Sequence, residues 1–576
     1  MLRRLKVENF KAVRKFKVDR PSLSGENPIQ HGEEDDSLKF RNLTIFAGAN
    51  SSGKSSIIQS ILLIAQTLER NDVLGLNFNG ELISLGDAVD VQNHESSPDD
   101  PIVYHIVISD TNDINNLEHE VHLSFHRLDE KRVHLSGATY LSHELGSDIN
   151  NDRTLNISLI DNNNYLLKSM SEFWTSGFIE ELTQRGYIES ADDVKRLFIR
   201  TQNILIQEIH IDVLRTKNTL DWNMALINPL NPQLRQYDDE IIESEYREIL
   251  FRAIKTLKLK KIRDQRSSAK LTLRDYYTWF GERTAKDSEQ LKQYFTKNLK
   301  DLKEEIHIEY VPSFIKQING SFLDVFTKNL RYLSANRQAP TMLFNSNKTF
   351  LWAEVGINGE NVASAIRDYG HHIISLYNQD TNTFEENSVL FFTGVWMRRF
   401  NLIQDVAITD RGKMGISLEI IDEHVKKPLD LTSIGFGTSQ ILPIIVQGLL
   451  TPPNGTFIVE QPEVHLHPTA QAKLADFFLT LARSNIQCII ETHSDHIIKR
   501  LQLRIVQDET SDTMDQIQIY FAEKKEGRSR FVEVVANEYG AIPEWPDGFF
   551  DQAEIDYSEI SYLSAKKRQL RKKTKS

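Results

Sequence analysis

The hydrophobic pattern of this chain changes period several times along its length. Leu5, Val7 and Phe10 open with strand-like spacing, and residues 43–47 form a short apolar run that predicts a buried strand. After a glycine-rich break, Ile57, Ile58, Ile61, Leu62, Ala65 and Leu68 recur at spacings of three and four, which predicts a helix. Residues 83–86 and 102–108 read as further strands. In 119–126, Val121, Leu123 and Phe125 alternate with polar residues, as on one face of a strand. Residues 21–37, rich in Gly, Pro, Asn and acids, read as a loop. Residues 1–160 therefore predict a β-rich lobe around one helix.

From about residue 166 the texture becomes charged, with apolar residues at helical spacing, as in Ile249, Leu250, Ala253, Ile254 and Leu257. Pro229, Pro232 and Pro312 punctuate it, and no heptads are sustained. Residues 161–330 read as a mainly helical insert. Strand texture returns near Tyr332, with strands expected at 415–421, 456–460 and 486–491. A glycine-rich loop at 434–440 enters an apolar helix at 441–450, and a short loop at 492–494 enters a helix at 495–503. Strand–helix–strand succession implies a parallel sheet with crossovers. The predicted class is α/β, with a second lobe at 331–555 and a basic tail at 556–576.

Composition narrows this picture modestly. A chain of 576 residues exceeds one compact core, and 40% hydrophobic with 26% charged residues is ordinary for a globular protein. No apolar run approaches the ~20 residues of a membrane span, and the first residues lack a signal-peptide apolar region. Cys488 stands alone, so no disulfide framework is possible, and a reducing cytoplasm fits. The net charge of −13 excludes a general polycation. Basic residues cluster locally at Arg252, Lys255, Lys258, Lys260, Lys261, Arg263, Arg266 and Lys270, and again along the tail from Lys566 to Lys575. Either segment could contact nucleic acid, or be a solvated helix face and a frayed tail.

The glycine-rich break is Gly48-Ala49-Asn50-Ser51-Ser52-Gly53-Lys54-Ser55, followed by Ser56. The spacing G-x-x-x-x-G-K-S, between a strand and a helix, is that of a phosphate loop. Its glycines let backbone N–H groups and the helix N-terminus face an anion. A plain glycine turn capping a helix is the competing reading, set aside because motif and context agree. Asn50, Ser51, Ser52, Gly53, Lys54, Ser55 and Ser56 are the expected contacts to a nucleoside triphosphate. Lys54 would reach the β- and γ-phosphates, and Ser55 would ligate Mg²⁺.

Three further motifs fit a nucleotide. Residues 457–463 end in acids at a sheet edge, where Glu460 could hold Mg²⁺. Residues 433–440 place Gly435, Gly437 and Ser439 at a helix N-terminus, a second anion site. One triphosphate does not need two such sites from one protomer, so this loop is expected to grip nucleotide bound to a partner. His493, just past the next strand, could bond the γ-phosphate or the attacking water. His465-x-His467 lacks the other ligands of a zinc site. Glu523-x-Lys525 reads as a charged hairpin, so no nuclease site is evident.

The order of these motifs resembles the ABC-type ATPase heads of the SMC, recombination and overcoming-lysogenization families. Leu5-x-Val7-x-Asn9-Phe10-Lys11 resembles their first strand, residues 435–440 their signature loop, 460–468 their Walker B and D-loop, and 491–494 their switch histidine. Residues 334–340, 356–361 and 545–551 resemble bacterial ATPases of phage defence, with the Septu- and retron-associated ATPases as functional analogues. The likeness implies ATP and Mg²⁺, and a head-to-tail homodimer with two ATPs at the interface. It also implies a glutamine that senses Mg²⁺, for which Gln59, Gln66 and Gln92 compete and Gln92 has the better position. Two departures stand out. Where those families carry Asp-Glu, this chain has Glu460-Gln461, and glutamine cannot accept a proton as a carboxylate would. Either Glu463 acts as base, or hydrolysis is slow. The signature loop is also spelled differently.

The expected function is an ATPase that closes as a dimer on ATP and gates an antiviral effector, a separately encoded nuclease or other toxic partner. Two alternatives stay open: a repair or recombination ATPase acting directly on DNA, and a nucleotide-loaded scaffold without useful turnover.

Overall fold

The computed structural model describes residues 1–15, 17–19, 36–70, 75–109, 117–144, 153–161, 164–170, 183–184, 194–201, 206–216, 226, 242, 244–259, 271–298, 303–310, 313–344, 354–402, 405–412, 415–421, 428–433, 435–510, 512–525, 528–543, 546, 548, 550 and 552–573. The chain divides into two units. One comprises 1–173, 200–207 and 311–576; the other comprises 174–199 and 208–310.

The larger unit is built on a seven-stranded sheet. Its strands run in the order Leu330–Leu333, Thr456–Glu460, Gln487–Thr492, Leu43–Gly48, Ile517–Lys525, Arg528–Val534 and Val18–Asp19. The first five are mutually parallel. Arg528–Val534 returns antiparallel to its neighbour as a hairpin. Central parallel strands are covered on both faces, so they read as continuous apolar runs rather than alternating ones. Leu43, Ile45, Phe46, Phe457, Ile458, Ile489 and Ile490 are accordingly buried. The crossover helices Phe436–Leu450, Pro468–Arg483 and Asp495–Gln507 pack their apolar sides into this core.

An antiparallel sheet in the same unit contains Leu2–Glu8, Leu38–Lys39, Ile102–Ser109, Leu117–Arg127, Val133–Glu144, Arg153–Asp161 and Asn164–Met170. Alternation in Leu117–Arg127 buries Leu117, Val121, Leu123 and Phe125. The fully buried Gln487 ties the first strand to the parallel sheet, accepting from the Leu2 N–H at 3.0 Å and donating to the Leu2 carbonyl at 2.7 Å. Each polar group of the amide thus finds a partner, as burial demands.

The smaller unit packs Leu226, Tyr246, Leu250, Tyr276, Phe280, Leu291 and Phe295 among its helices Ser244–Thr256, Leu273–Gly281 and Ala285–Asn298. It also holds an antiparallel pair, residues 209–216 with 303–310. The expected insert is thus helical and stranded together. The alternation of Ile209, Ile211 and Val213 against polar neighbours is the period-two signal that the charged texture obscured.

Several local expectations change. Residues 83–86 contribute an isolated bridge, Asn79 with Ser84, rather than a strand. The Asn79 amide group holds this turn through Ser84 and Gly86. The basic tail lies largely on a helix, Gln552–Lys573. Most of the expected 21–37 loop lies outside the described residues, as do Lys260, Lys261, Arg263, Arg266 and Lys270. Arg252 and Lys255 lie on Ser244–Thr256. Among the described residues, no helix is long and apolar enough to cross a membrane.

Candidate active site

The strand Leu43–Gly48 leaves the sheet at Gly48, whose φ is +136°. A Cβ there would lie 2.1 Å from the Ala522 carbonyl oxygen. Gly53 has φ +103°, and a Cβ on it would lie 2.4 Å from Ser529 Oγ. Both glycines are therefore required twice, for conformation and for space. Asn50 and Ser51 are exposed at the tip of the loop. Ser52 is buried with its Oγ unpartnered. Gly53 caps the helix Lys54–Leu68 without a side-chain hydrogen bond, and no acid occupies the first turn. No side-chain cap thus occupies the first N–H groups of that helix, where an anion is favoured.

Lys54 is buried, and its Nζ donates to the carbonyls of Gly48 at 3.1 Å and Ala49 at 2.7 Å. Burial lowers its pKa, against the pull of Glu491 and Glu463. The Ser55 hydroxyl donates to Glu491, lying 3.1 and 3.0 Å from its two oxygens. Ser56 is also buried.

Glu460 and Glu491 are direct register partners at the C-terminal ends of neighbouring parallel strands. Glu460 accepts from the Tyr332 hydroxyl at 3.1 Å. Burial, reinforced by Glu491, pushes its carboxyl up to about 7. Burial likewise raises Glu491, opposed by Lys54 and Ser55. Glu463 is 8% exposed. It accepts the His493 backbone N–H at 2.5 Å on Oε1, and its Oε2 is buried without a hydrogen-bond partner. Burial is the main cause that raises its pKa. The His493 ring is held low by burial and then by Lys54, with a hydrogen bond to the Gly48 backbone opposing them, which favours the neutral imidazole.

Gln461 stands in the left-handed region at φ 43°, donating its N–H to the Glu491 carbonyl at 2.7 Å. Arg337 fixes this corner. Its guanidinium donates to the carbonyls of Ser334 and Glu460, each at 3.1 Å, and of Gln461 at 2.7 Å. Arg337 thus holds the backbone of the acid loop. Residues 334–340 and 356–361, quoted above as separate motifs, meet here: Ser334 N–H bonds the Ile357 carbonyl, and Gln338 N–H bonds that of Asn358, both at 2.8 Å.

At the signature loop, Gly435 precedes the helix Phe436–Leu450 with an ordinary φ of −54°, and nothing lies within 4 Å of its would-be Cβ. A Cβ on Gly437 would come 3.1 Å from the His465 carbonyl. Ser439 Oγ donates to the Phe436 carbonyl at 2.7 Å. The exposed Phe436 ring meets His465 edge-on at 4.8 Å. His467 caps the next helix, accepting from the Thr469 N–H at 3.3 Å. These two histidines are thus engaged separately. Gln92 is buried, its amide donating to the carbonyls of Ser97 at 3.0 Å and Asp100 at 2.7 Å.

Glu491 is the site residue that sequence reasoning passed over, having taken it as part of the histidine motif. An acid ending the strand beside the acid-bearing strand was the available signal. The buried Ser52 Oγ and Glu463 Oε2, which lack partners, fit a polar ligand. Ser55, Glu460 and Glu491 offer the hard oxygen donors that Mg²⁺ prefers.

A phosphate loop, a parallel sheet and acids at its C-terminal edge define a P-loop ATPase of α/β class. The chain belongs to the AAA ATPase domain family AAA_15, which matches residues 1–498. A second family, of unknown function (DUF3696), matches residues 513–560. No curated protein matches the chain. Among solved structures, it is similar to the Smc head domain with an extended coiled coil, bound to the C-terminal domain of ScpA, from Pyrococcus furiosus. Identity is 13%, coverage 97% of this chain and 99% of that one, and the TM-score 0.31. The SMC head domain from Thermotoga maritima gives 8% identity, 92% and 98% coverage, and a TM-score of 0.32.

Proposed function

We propose that this ATPase binds MgATP at the sheet edge, hydrolyses it slowly, and closes as a head-to-tail homodimer that gates a separately encoded antiviral effector. The observation that carries the catalytic part is the convergence of Lys54, Ser55, Glu460, Glu491, Glu463 and His493, with Gln461 following the acid strand. The antiviral output rests on the motif resemblance at 334–340 and 356–361.

In this reading, Lys54 exchanges the carbonyls of Gly48 and Ala49 for phosphate oxygens. Asn50, Ser51, Ser52, Gly53 and Ser56 line the same anion cradle. Ser55, Glu460 and Glu491 hold Mg²⁺, with Gln92 kept as a distal sensor. The cation supplies charge neutralisation at the β- and γ-phosphates. Gln461 can orient a water but cannot take its proton. Glu463, buried and held by the His493 N–H, is the carboxylate to which this reading gives that role, and neutral His493 can accept or donate one hydrogen bond. General-base catalysis is worth ~10²–10⁴-fold, and a base recruited from outside the usual position recovers only part of that factor, so turnover is slow. Gly435, Gly437 and Ser439 would reach the partner's nucleotide.

Steady-state ATPase assays of wild type, Gln461→Glu and Glu463→Gln decide this. Slow wild-type turnover, raised by Gln461→Glu and lost in Glu463→Gln, is expected. Fast turnover indifferent to Glu463 would sink it. ATP-dependent duplex binding by the chain alone would redirect the output to DNA. Effector control that survives Lys54→Ala would make the protein a scaffold.

A further inference from the structure

His105 lies on the strand Ile102–Ser109, and Glu120 and His122 on its antiparallel neighbour Leu117–Arg127. His105 and His122 are direct cross-strand partners, and Glu120 is two residues from His122 on the same face. The intervening Tyr104, Ile106, Val121 and Leu123 are buried, so the three polar side chains share the opposite face. Glu120 Oε1 lies 2.7 Å from Nε2 of both rings. The imidazoles stack at 4.1 Å with 9° between planes. Nε2 of His105 is buried, with the Glu120 carboxylate oxygen 2.7 Å away. Three ligand atoms thus converge, all within 4.8 Å of one another.

We propose that His105, Glu120 and His122 form a binding site for one zinc-type divalent cation, distinct from the nucleotide site. Two neutral imidazoles and one carboxylate suit zinc and its first-row neighbours, whereas Mg²⁺ prefers an all-oxygen shell. A cation among the three atoms uses both nitrogen lone pairs at once. Arg4 Nη2, 3.7 Å from Glu120 Oε2, holds the far side of the carboxylate and orients Oε1 toward the rings. Side-chain exposures of 15% for His105, 18% for Glu120 and 41% for His122 leave a path for the ion and a fourth position for water. Bound there, the cation pins two strands of the antiparallel sheet.

The test titrates metal-stripped, full-length protein with Zn²⁺, and separately with Co²⁺, in excess Mg²⁺ so that oxygen sites are filled. One equivalent of Zn²⁺ per chain is expected, with a visible d–d band for Co²⁺ of low coordination number. His122→Ala and Glu120→Gln should each weaken binding by about 100-fold or more. The exposed His122 makes its variant safe to fold, and retained ATP binding verifies it. Sub-stoichiometric binding by wild type, a Co²⁺ spectrum without that band, or binding by either variant as tight as wild type would overturn the assignment.

Discussion

The Ser55 hydroxyl donates to the Glu491 carboxylate, 3.1 and 3.0 Å from its two oxygens, joining the end of the phosphate loop to a strand end far along the chain. In the proposed reading, Glu491 therefore competes with Glu460 for the role of principal Mg²⁺ carboxylate. Glu491→Gln keeps a partner for Ser55 and removes the charge. It should raise the Mg²⁺ concentration for half-maximal ATP binding by about 10–100-fold while sparing Mg²⁺-free binding. Titrations with a fluorescent ATP analogue at varied Mg²⁺ read this directly, and an unchanged Mg²⁺ requirement would return the role to Glu460.

Gly435 separates a folding glycine from a functional one. Its φ of −54° suits any residue and its Cβ position is open, so Gly435→Ala should leave the unfolding midpoint nearly unchanged. If the loop approaches a partner's nucleotide, the added methyl should weaken ATP-induced dimerisation several-fold. Sedimentation with and without ATP measures this. Gly48→Ala is the contrast, since a Cβ 2.1 Å from a carbonyl oxygen should destabilise the fold itself by about 2 kcal/mol or more.

Glu460 carries a pH dependence. Its folded pKa, raised to about 7 from 4.5, means that the fold binds this proton more tightly than the unfolded chain does. That contribution is complete below the unfolded value and is lost as pH rises through about 7. Glu460→Gln should therefore stabilise the nucleotide-free protein relative to wild type at pH 8, by at most about 3 kcal/mol, and not below pH 4.5. Partial exposure to water makes this figure a ceiling. Urea denaturation across that range shows whether the two curves converge at low pH.

Asp476 shows the opposite sign. It is buried, which by itself would raise its carboxyl, but hydrogen bonds from Arg504 at 2.7 Å and Arg500 at 2.8–3.1 Å hold it below the usual range. Its stabilisation is present above the unfolded value of 3.8 and is lost as pH falls through the lower folded value. Asp476→Asn leaves two guanidiniums with one neutral partner and should cost about 2 kcal/mol at pH 7. The deficit should shrink under acid, and equilibrium unfolding of the two proteins across pH tests it.

Much of the site was legible in the residues themselves. The phosphate loop, acid strand, glycine-rich helix start and the histidine after the next strand each announce themselves as candidates through local spacing, and the buried parallel strands through unbroken apolar runs. Such signals are local because backbone periodicity, glycine conformations and helix ends involve only near neighbours. The strands at 206–216 and 303–310 were lost where charges diluted the alternation.

What the sequence by itself determined was most of the local elements and the candidate residues they carry. Only the tertiary structure decided which elements are neighbours. The strand Leu43–Gly48 pairs with Gln487–Thr492 on one side and Ile517–Lys525 on the other, and that order brings Ser55 to Glu491. Arg337 on the acid loop, and His105 with Glu120 and His122, likewise meet through packing and register. Strand pairing depends on long-range burial and crossovers, which no local period records.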